Sequence, residues 1–181
     1  MEKATRKRIW NAGQSCFAPK RLIIVKDHYD YFREKLIGNL EKIRYGDPMD
    51  TNTEIGPLAR EDIYNDLQEH IKNMPSSWKV IWERQNVQRP FFPITVIEGT
   101  DEEYNHEMFG PVFSLFKAEN EDHAIKLANA GNYGLAASVW SEKKGEEVID
   151  KIRCGMSFVN ECPTSELTFP CGGVGKSGYG K

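Results

Sequence analysis

Hydrophobic residues recur along the chain with two different spacings, and these predict alternating strands and helices. Segment 21–25 is a compact apolar run rich in β-branched residues, which is typical of a buried parallel strand. From Asp27 the apolar positions recur every three or four residues instead, which predicts an amphipathic helix with Asp27 as its cap. These positions are Tyr29, Phe32, Leu36, Leu40 and Ile43.

The remaining elements follow the same two patterns. Further helices are predicted over 60–74, 121–130 and 142–153, and further strands over 78–83, 92–97, 112–116, 136–140 and 156–159. Segment 1–10 is short and charged, and is either a helix remnant or a frayed end. Because strands alternate with helices, we expect one α/β domain over 1–181, a three-layer sandwich with a mostly parallel sheet.

Charge and composition argue against several classes of protein. The formal net charge is -3, with no basic patch of the kind that binds nucleic acid. No apolar run approaches the roughly 20 residues of a membrane span, and no signal-peptide core follows the basic start. The cysteines at 16, 154, 162 and 171 lack the paired spacing of a zinc site, so we expect free thiols and a cytoplasmic location.

The best candidate for chemistry is the cysteine of segment 11–16, Asn-Ala-Gly-Gln-Ser-Cys. A cysteine acts as a nucleophile when its thiolate is populated, which needs a partly exposed setting that is electropositive or rich in amides. Gly13 would let the backbone approach closely and leave amides near Cys16 facing an oxyanion. The alternative is a buried structural thiol, because free cysteine is usually a small hydrophobe.

Two phosphate-binding patterns near the end of the chain are rejected. Gly175-Lys176-Ser177 lacks the glycine that a phosphate loop needs five residues earlier, where Pro170 stands. Segment 173–178 has the spacing of a dinucleotide fingerprint, but only three residues follow it. No helix can therefore begin there to hold a pyrophosphate.

Three blocks in collinear order are similar to the signature blocks of the NAD(P)-dependent aldehyde dehydrogenase superfamily: 11–16, 107–112 (Glu-Met-Phe-Gly-Pro-Val) and 170–180. Segments 45–48, 55–58, 129–135 and 155–160 also resemble that family, so the resemblance covers nearly the whole chain. Residues 165–174 look most like the succinate-semialdehyde branch. The resemblance implies a catalytic-domain fragment, truncated at both ends, without the dinucleotide-binding domain.

The same resemblance implies roles for Cys16, Glu107 and Phe109, while residue type and position suggest roles for Asn160 and Ser165. Cys16 would attack the aldehyde carbon to give a thiohemiacetal, hydride would pass to NAD or NADP, and water would hydrolyse the thioester. Glu107 would hydrogen-bond the nicotinamide ribose and Phe109 would lie beside the ring; their alternatives are a loop carboxylate and a core phenylalanine. Asn160 would line the substrate pocket, with a strand-end cap as an equal alternative, and Ser165 would offer a hydroxyl to a carboxylate substrate.

The sequence also departs from the family. It has no match to the Glu-Leu-Gly-Gly block that carries the general base, nor to the asparagine of the oxyanion hole, and Cys171 replaces the usual phenylalanine. We therefore expect a fragment that binds no cofactor and has no NAD(P)-linked turnover by itself. Its uncovered surfaces predict an exposed apolar patch and self-association. The partner expected is a small-molecule aldehyde, and the alternative function is a non-catalytic interaction or scaffold protein.

Overall fold

A computed structural model describes residues 2–99 and 106–180. The main sheet contains β1 (Arg21–Val25), β2 (Trp78–Glu83), β3 (Thr95–Gly99) and β4 (Val112–Ala118). Its strand order is β1-β4-β3-β2, with β1, β4 and β3 parallel and β2 antiparallel at the edge. The predicted α/β class with a mostly parallel sheet is confirmed.

Helices flank this sheet on both faces. The described helices are α1 (Glu2–Ile9), α2 (Lys26–Leu40), α3 (Glu61–Lys72), α4 (Glu121–Asn129) and the short α5 (Gly145–Ile149), of which α2 and α4 pack on the main sheet. The Tyr29 hydroxyl of α2 donates to Glu98 at 2.6 Å, while Arg21 donates to carbonyls at the end of α4. Glu98 is in register with Leu115 and Arg21 with Ser114. Consecutive strand residues point to opposite faces, so α2 and α4 cover different faces of the sheet.

The core lies between the sheet and its helices, and the main strands supply much of it. Its fully buried members include Leu36, Leu40, Leu67, Ile94, Val96, Ile97, Phe113 and Leu115. Trp78 packs edge-to-face against Phe116 with ring centroids 4.9 Å apart, and its indole covers Gly99, where a side chain would overlap it. The apolar positions of β3 and β4 are buried on both faces, as expected for strands between two helical layers.

Two small sheets lie outside the main one. β6 (Ala136–Val139) pairs in parallel with β7 (Met156–Val159), and β5 (Tyr133–Gly134) pairs antiparallel with β8 (Val174–Gly175). The strands predicted over 136–140 and 156–159 are confirmed. The helix predicted over 142–153 is too long, because the helical stretch ends at Ile149 and turns lead into β7. β8 lies within the glycine-rich segment 170–180.

Two further predictions are corrected by the local hydrogen bonding. Asp27 does not cap α2: the residue preceding the helix is Val25, and Asp27 lies inside the first turn, where its charge still favours the helix. The strand predicted over 92–97 begins later, at Thr95. The amide of Ile94 donates to the Tyr45 hydroxyl at 2.7 Å instead of to a strand, and proline at 93 has no amide hydrogen to offer.

No helix within 2–99 and 106–180 combines the length and the apolar character needed to cross a bilayer.

Candidate active site

The candidate nucleophile follows a left-handed turn at the end of α1. Asn11 and Ala12 both have φ of 52°, and Gly13 has φ of 76°. Asparagine and glycine adopt this conformation readily, whereas alanine does so at a cost of roughly 1–2 kcal/mol. The Asn11 side-chain amide donates to the Gln14 carbonyl at 3.1 Å, and the Gln14 side chain donates to the Asn11 carbonyl at 3.0 Å. These reciprocal bonds hold the turn that presents Cys16.

The first and second signature blocks touch through glycines. A Cβ at Gly13 would overlap the carbonyl oxygen of Gly110, and a Cβ at Gly110 would overlap Leu67 of α3. The prediction that Gly13 permits a close backbone approach is confirmed by this contact. The turn before Cys16 therefore rests directly on the block that contains Glu107 and Phe109.

Arg8, on the last turn of α1, is fully buried beneath both blocks. Its guanidinium donates to the Val112 carbonyl at 2.7 and 2.9 Å, to the Met108 carbonyl at 2.6 Å and to the Gly13 carbonyl at 3.4 Å. Burial lowers the pKa of Arg8, and the charge of Glu107 offsets part of that effect. A guanidinium with this many acceptors remains protonated at neutral pH.

Lys20, which follows Cys16 in the sequence, also links the cysteine turn to the second block. Its Nζ donates to the Ser15 carbonyl at 2.9 Å and to the Cys16 carbonyl at 3.2 Å, and pairs with Glu107 at 3.0 Å. It also lies 5.8 Å from the centroid of the Phe109 ring. Burial lowers the pKa of Lys20, while the charge of Glu107 raises it in part.

Cys16 is exposed, so the alternative of a buried structural thiol is wrong. No residue within 2–99 and 106–180 accepts a hydrogen bond from its backbone amide. An exposed cysteine whose carbonyl binds an ammonium, with an amide still available to a developing oxyanion, is an arrangement that suits nucleophilic attack on a carbonyl. Glu107 and Phe109 remain partly exposed next to it, at 37% of the side chain and 36% of the residue respectively.

A contact between two histidine rings connects the start of the second block to α3. The ring of His106, which precedes Glu107, lies against the ring of His70 with centroids 4.7 Å apart. Burial lowers the pKa of His70, and the charge of His106 lowers it further. This contact and the Leu67 contact make α3 the support behind the block.

Asn160 and Ser165 lie in the chain beyond β7. The Asn160 side-chain amide accepts from the Ser141 amide and donates to the Ser141 carbonyl, both at 2.9 Å, which ties together the ends of β6 and β7. Ser165 is exposed in the loop that follows. In the part of the chain that the structure describes, neither residue shares a hydrogen bond or ion pair with Cys16 or Lys20. The structure thus links Cys16, Glu107 and Phe109 through the ammonium of Lys20, which lies against all three, and not through Asn160 or Ser165.

The glycine-rich end packs on neighbouring backbone. The amide of Lys176 donates to the Asn132 carbonyl at 2.8 Å, and the Ser177 hydroxyl accepts from the Gly134 amide at 3.0 Å. Among the residues described, no three His, Cys, Asp or Glu side chains are grouped so that they could hold a metal ion.

Sequence reasoning missed Arg8 and Lys20. Arg8 had one available signal, because Thr5, Arg8 and Ile9 occupy one face of α1 and are all buried. Lys20 had none, since its partners are backbone carbonyls and a carboxylate from a distant segment.

Comparison with known proteins places the whole chain among aldehyde dehydrogenases. The sequence profile of the aldehyde dehydrogenase family matches residues 1–181. The NADP(+) succinate-semialdehyde dehydrogenase 1 of Mycobacterium tuberculosis is 38% identical over 182 residues, which cover 96% of this chain and 40% of that protein. The NADP(+) succinate-semialdehyde dehydrogenase of Mycobacterium leprae is 39% identical over 184 residues, with the same coverage.

Solved structures give the same result. The succinic semialdehyde dehydrogenase of Streptococcus pyogenes, in complex with NADP+, superposes with a TM-score of 0.92 at 34% identity, covering 98% of this chain and 41% of that one. Betaine aldehyde dehydrogenase of Staphylococcus aureus, in complex with NAD+, superposes with a TM-score of 0.90 at 29% identity, covering 98% and 38%. The chain thus spans 40% of the length of the mycobacterial relatives.

Proposed function

The chain belongs to the aldehyde dehydrogenase family, and we propose that Cys16 is the nucleophile with which it attacks an aldehyde. The observation that carries the proposal is the contact between blocks: one lysine ammonium binds the carbonyl of Cys16 and the carboxylate of Glu107. An exposed cysteine whose own carbonyl binds a cation has the kind of surroundings in which a reactive thiol is found.

In the proposed reaction, the Cys16 sulfur forms a bond to the aldehyde carbon while the carbonyl electron pair moves to oxygen. The Cys16 amide, which has no acceptor among the described residues, donates to that oxygen. A bound NAD or NADP would supply the acceptor for the hydride whose loss turns this adduct into a thioester. Attack by water then releases the carboxylate and returns the thiol.

We assign the cofactor contacts to Glu107 and Phe109, as the resemblance implies. Glu107 has a partly exposed carboxylate that can accept from ribose hydroxyls, and Phe109 has a partly exposed ring. The proposed substrate is a succinate-semialdehyde-like aldehyde, on the strength of similarity to enzymes of that name. The pocket roles of Asn160 and Ser165 and a cytoplasmic location stay predictions within this proposal.

Alkylation with limiting iodoacetamide at neutral pH tests the nucleophile. Cys171, in the third block, is the matched control, because it is exposed like Cys16 but shares no described hydrogen bond or ion pair with Lys20; burial raises the pKa of Cys162. Mass spectrometry of the digested protein should show Cys16 reacting at least about tenfold faster than Cys171, with Cys162 slowest. A rate for Cys16 equal to or below that of Cys171 would contradict the proposal.

We further propose that these 181 residues alone do not turn over succinate semialdehyde. The sequence has no match to the family's general-base block, and losing a general base typically costs about 10²–10⁴ in rate. Absorbance of reduced cofactor, followed after mixing the purified chain with succinate semialdehyde and NADP or NAD, should stay at background. Clear reduction would show this part of the proposal to be wrong.

A second candidate is a non-catalytic scaffold that associates with copies of itself. Its support is the exposure of large apolar side chains near the glycine-rich end: Leu167 and Tyr179 are fully exposed and Phe169 is 68% exposed. The cysteine experiment separates the two candidates, since a scaffold gives Cys16 no advantage over Cys171.

A further inference from the structure

We propose that Lys20 is a positioning residue that fixes the Cys16 turn against Glu107 and makes the surroundings of the Cys16 sulfur favour anionic substrates. The proposal rests on the function proposed above for Cys16 and Glu107. Lys20 lies outside all three signature blocks, in the link between the first block and β1.

The contacts of Lys20 use its full hydrogen-bonding capacity. An ammonium has three donors and no acceptor, and here four acceptors surround it: the carbonyls of Ser15, Cys16 and Ala18 and the carboxylate of Glu107. The side chain is 16% exposed, so water competes little for these positions. One group therefore sets the distance between the turn that presents the sulfur and the carboxylate proposed to bind the cofactor.

The charges of Arg8, Lys20 and Glu107 near Cys16 do not cancel. Arg8 and Lys20 are cations that both interact with Glu107, which is the carboxylate they share. Lys20 also interacts with Cys16 itself. Among the residues that the structure describes, these two cations and one carboxylate leave an excess positive charge near Cys16, and that excess attracts any anion approaching it. An aldehyde that carries a carboxylate, such as the proposed substrate class, would gain from this field.

The inference can be tested through the charge of an alkylating reagent. Iodoacetate is an anion and iodoacetamide is neutral, and both transfer their carbon to the same thiolate with loss of iodide. The ratio of the two rates at Cys16 therefore cancels the thiolate population and reports the local electrostatic potential. Cys171, measured in the same digest, is the internal reference.

Opposite charge changes should move this ratio in opposite directions. Lys20→Met removes a positive charge and should lower the iodoacetate-to-iodoacetamide ratio at Cys16 about threefold, whereas Glu107→Gln removes a negative charge and should raise it by ~3-fold. Lys20→Arg keeps the charge and should leave the ratio within about twofold of the unaltered chain. Structural damage alone would move the Lys20→Met and Glu107→Gln variants in the same direction.

Lys26→Met is the matched control, because Lys26 makes an ion pair of the same 3.0 Å length with Glu119 on an exposed surface. Its ratio should not change. Equal ratios in all variants, or a shared direction for Lys20→Met and Glu107→Gln, would overturn the inference. If circular dichroism shows that Lys20→Met does not fold, the inference is decided by whether Glu107→Gln raises the iodoacetate-to-iodoacetamide ratio at Cys16. The outcome is separate from the proposed function, which fails instead if Cys16 of the unaltered chain reacts no faster than Cys171.

Discussion

At the scale of single residues, Gly13 is the point on which the site depends most directly. Its φ of 76° lies in the left-handed region, and its missing side chain leaves room for the Gly110 carbonyl. Position 13 therefore requires glycine for two reasons, its left-handed backbone conformation and the lack of space for a side chain.

We predict that Gly13→Ala destabilises the protein by about 2–5 kcal/mol, because it adds left-handed strain to overpacking. Urea unfolding followed by circular dichroism measures this. Gly38→Ala is the control, since Gly38 lies within α2 with nothing near its would-be Cβ. That change should stabilise by roughly 0.5–1 kcal/mol. Two midpoints shifted in the same direction would contradict the argument.

The sequence was informative about residues whose role is visible in the local chain. Gly13 was predictable, because a glycine three residues before a cysteine suggests a close backbone approach at the turn that presents the thiol. Lys20 was not, because its ion pair forms only after the distant Glu107 folds onto the cysteine turn, although its carbonyl partners lie close to it in the sequence. Arg8 has the same limitation, since its main acceptors are the carbonyls of Met108 and Val112.

At the scale of elements, α1 does more than cover the core, because it binds the first and second signature blocks through Arg8. Arg8 projects from its last turn and occupies the carbonyls of both blocks, and it is completely buried. The position of α1 therefore helps to set the positions of both the cysteine turn and the start of β4.

We predict that Arg8→Met destabilises the protein by about 2–4 kcal/mol, since the buried carbonyls of Met108 and Val112 lose charged donors. Arg6→Met, on the same helix, removes only an exposed pair with Glu2 and should cost about 0.5 kcal/mol or less. Guanidinium chloride unfolding of both variants gives the comparison. Similar losses in the two would show that α1 is held by something other than the guanidinium.

The elements themselves were largely predictable, because buried strands and amphipathic helices leave clear spacings. The boundaries of the elements were less predictable. β3 begins at Thr95 because the amide of Ile94 donates to a tyrosine hydroxyl from a distant loop. The pairing of β6 with β7 apart from the main sheet could not be foreseen either. Strand partners depend on tertiary contacts, and the spacing of apolar residues within a strand carries no information about them.

At the scale of the whole molecule, the distribution of exposed apolar side chains predicts how copies of the chain behave together. Leu167, Phe169 and Tyr179 are all in the glycine-rich end or the loop before it. Large apolar groups exposed near one another are typical of surfaces that bind another molecule.

We predict that the chain self-associates at micromolar concentration and that the double change Leu167→Ser with Phe169→Ser shifts it toward monomer. The reason is that serine removes apolar area that a partner copy would bury. Light scattering coupled to size exclusion measures the mass. Met49→Ser is the control, because Met49 is 88% exposed on another loop and should leave the mass unchanged. A clean monomer in the unaltered chain would contradict the prediction.

The large sequence separation between Arg8 and its hydrogen-bond acceptors has a consequence for folding during synthesis. Its acceptors at Met108 and Val112 follow it by 100 and 104 residues, so the support beneath the cysteine cannot exist while a ribosome has translated only the first half of the chain. Contacts this remote in sequence form late, after the intervening strands have docked. A nascent polypeptide would thus carry an unsupported thiol, and the site would be completed only when β4 reaches its place beside β1.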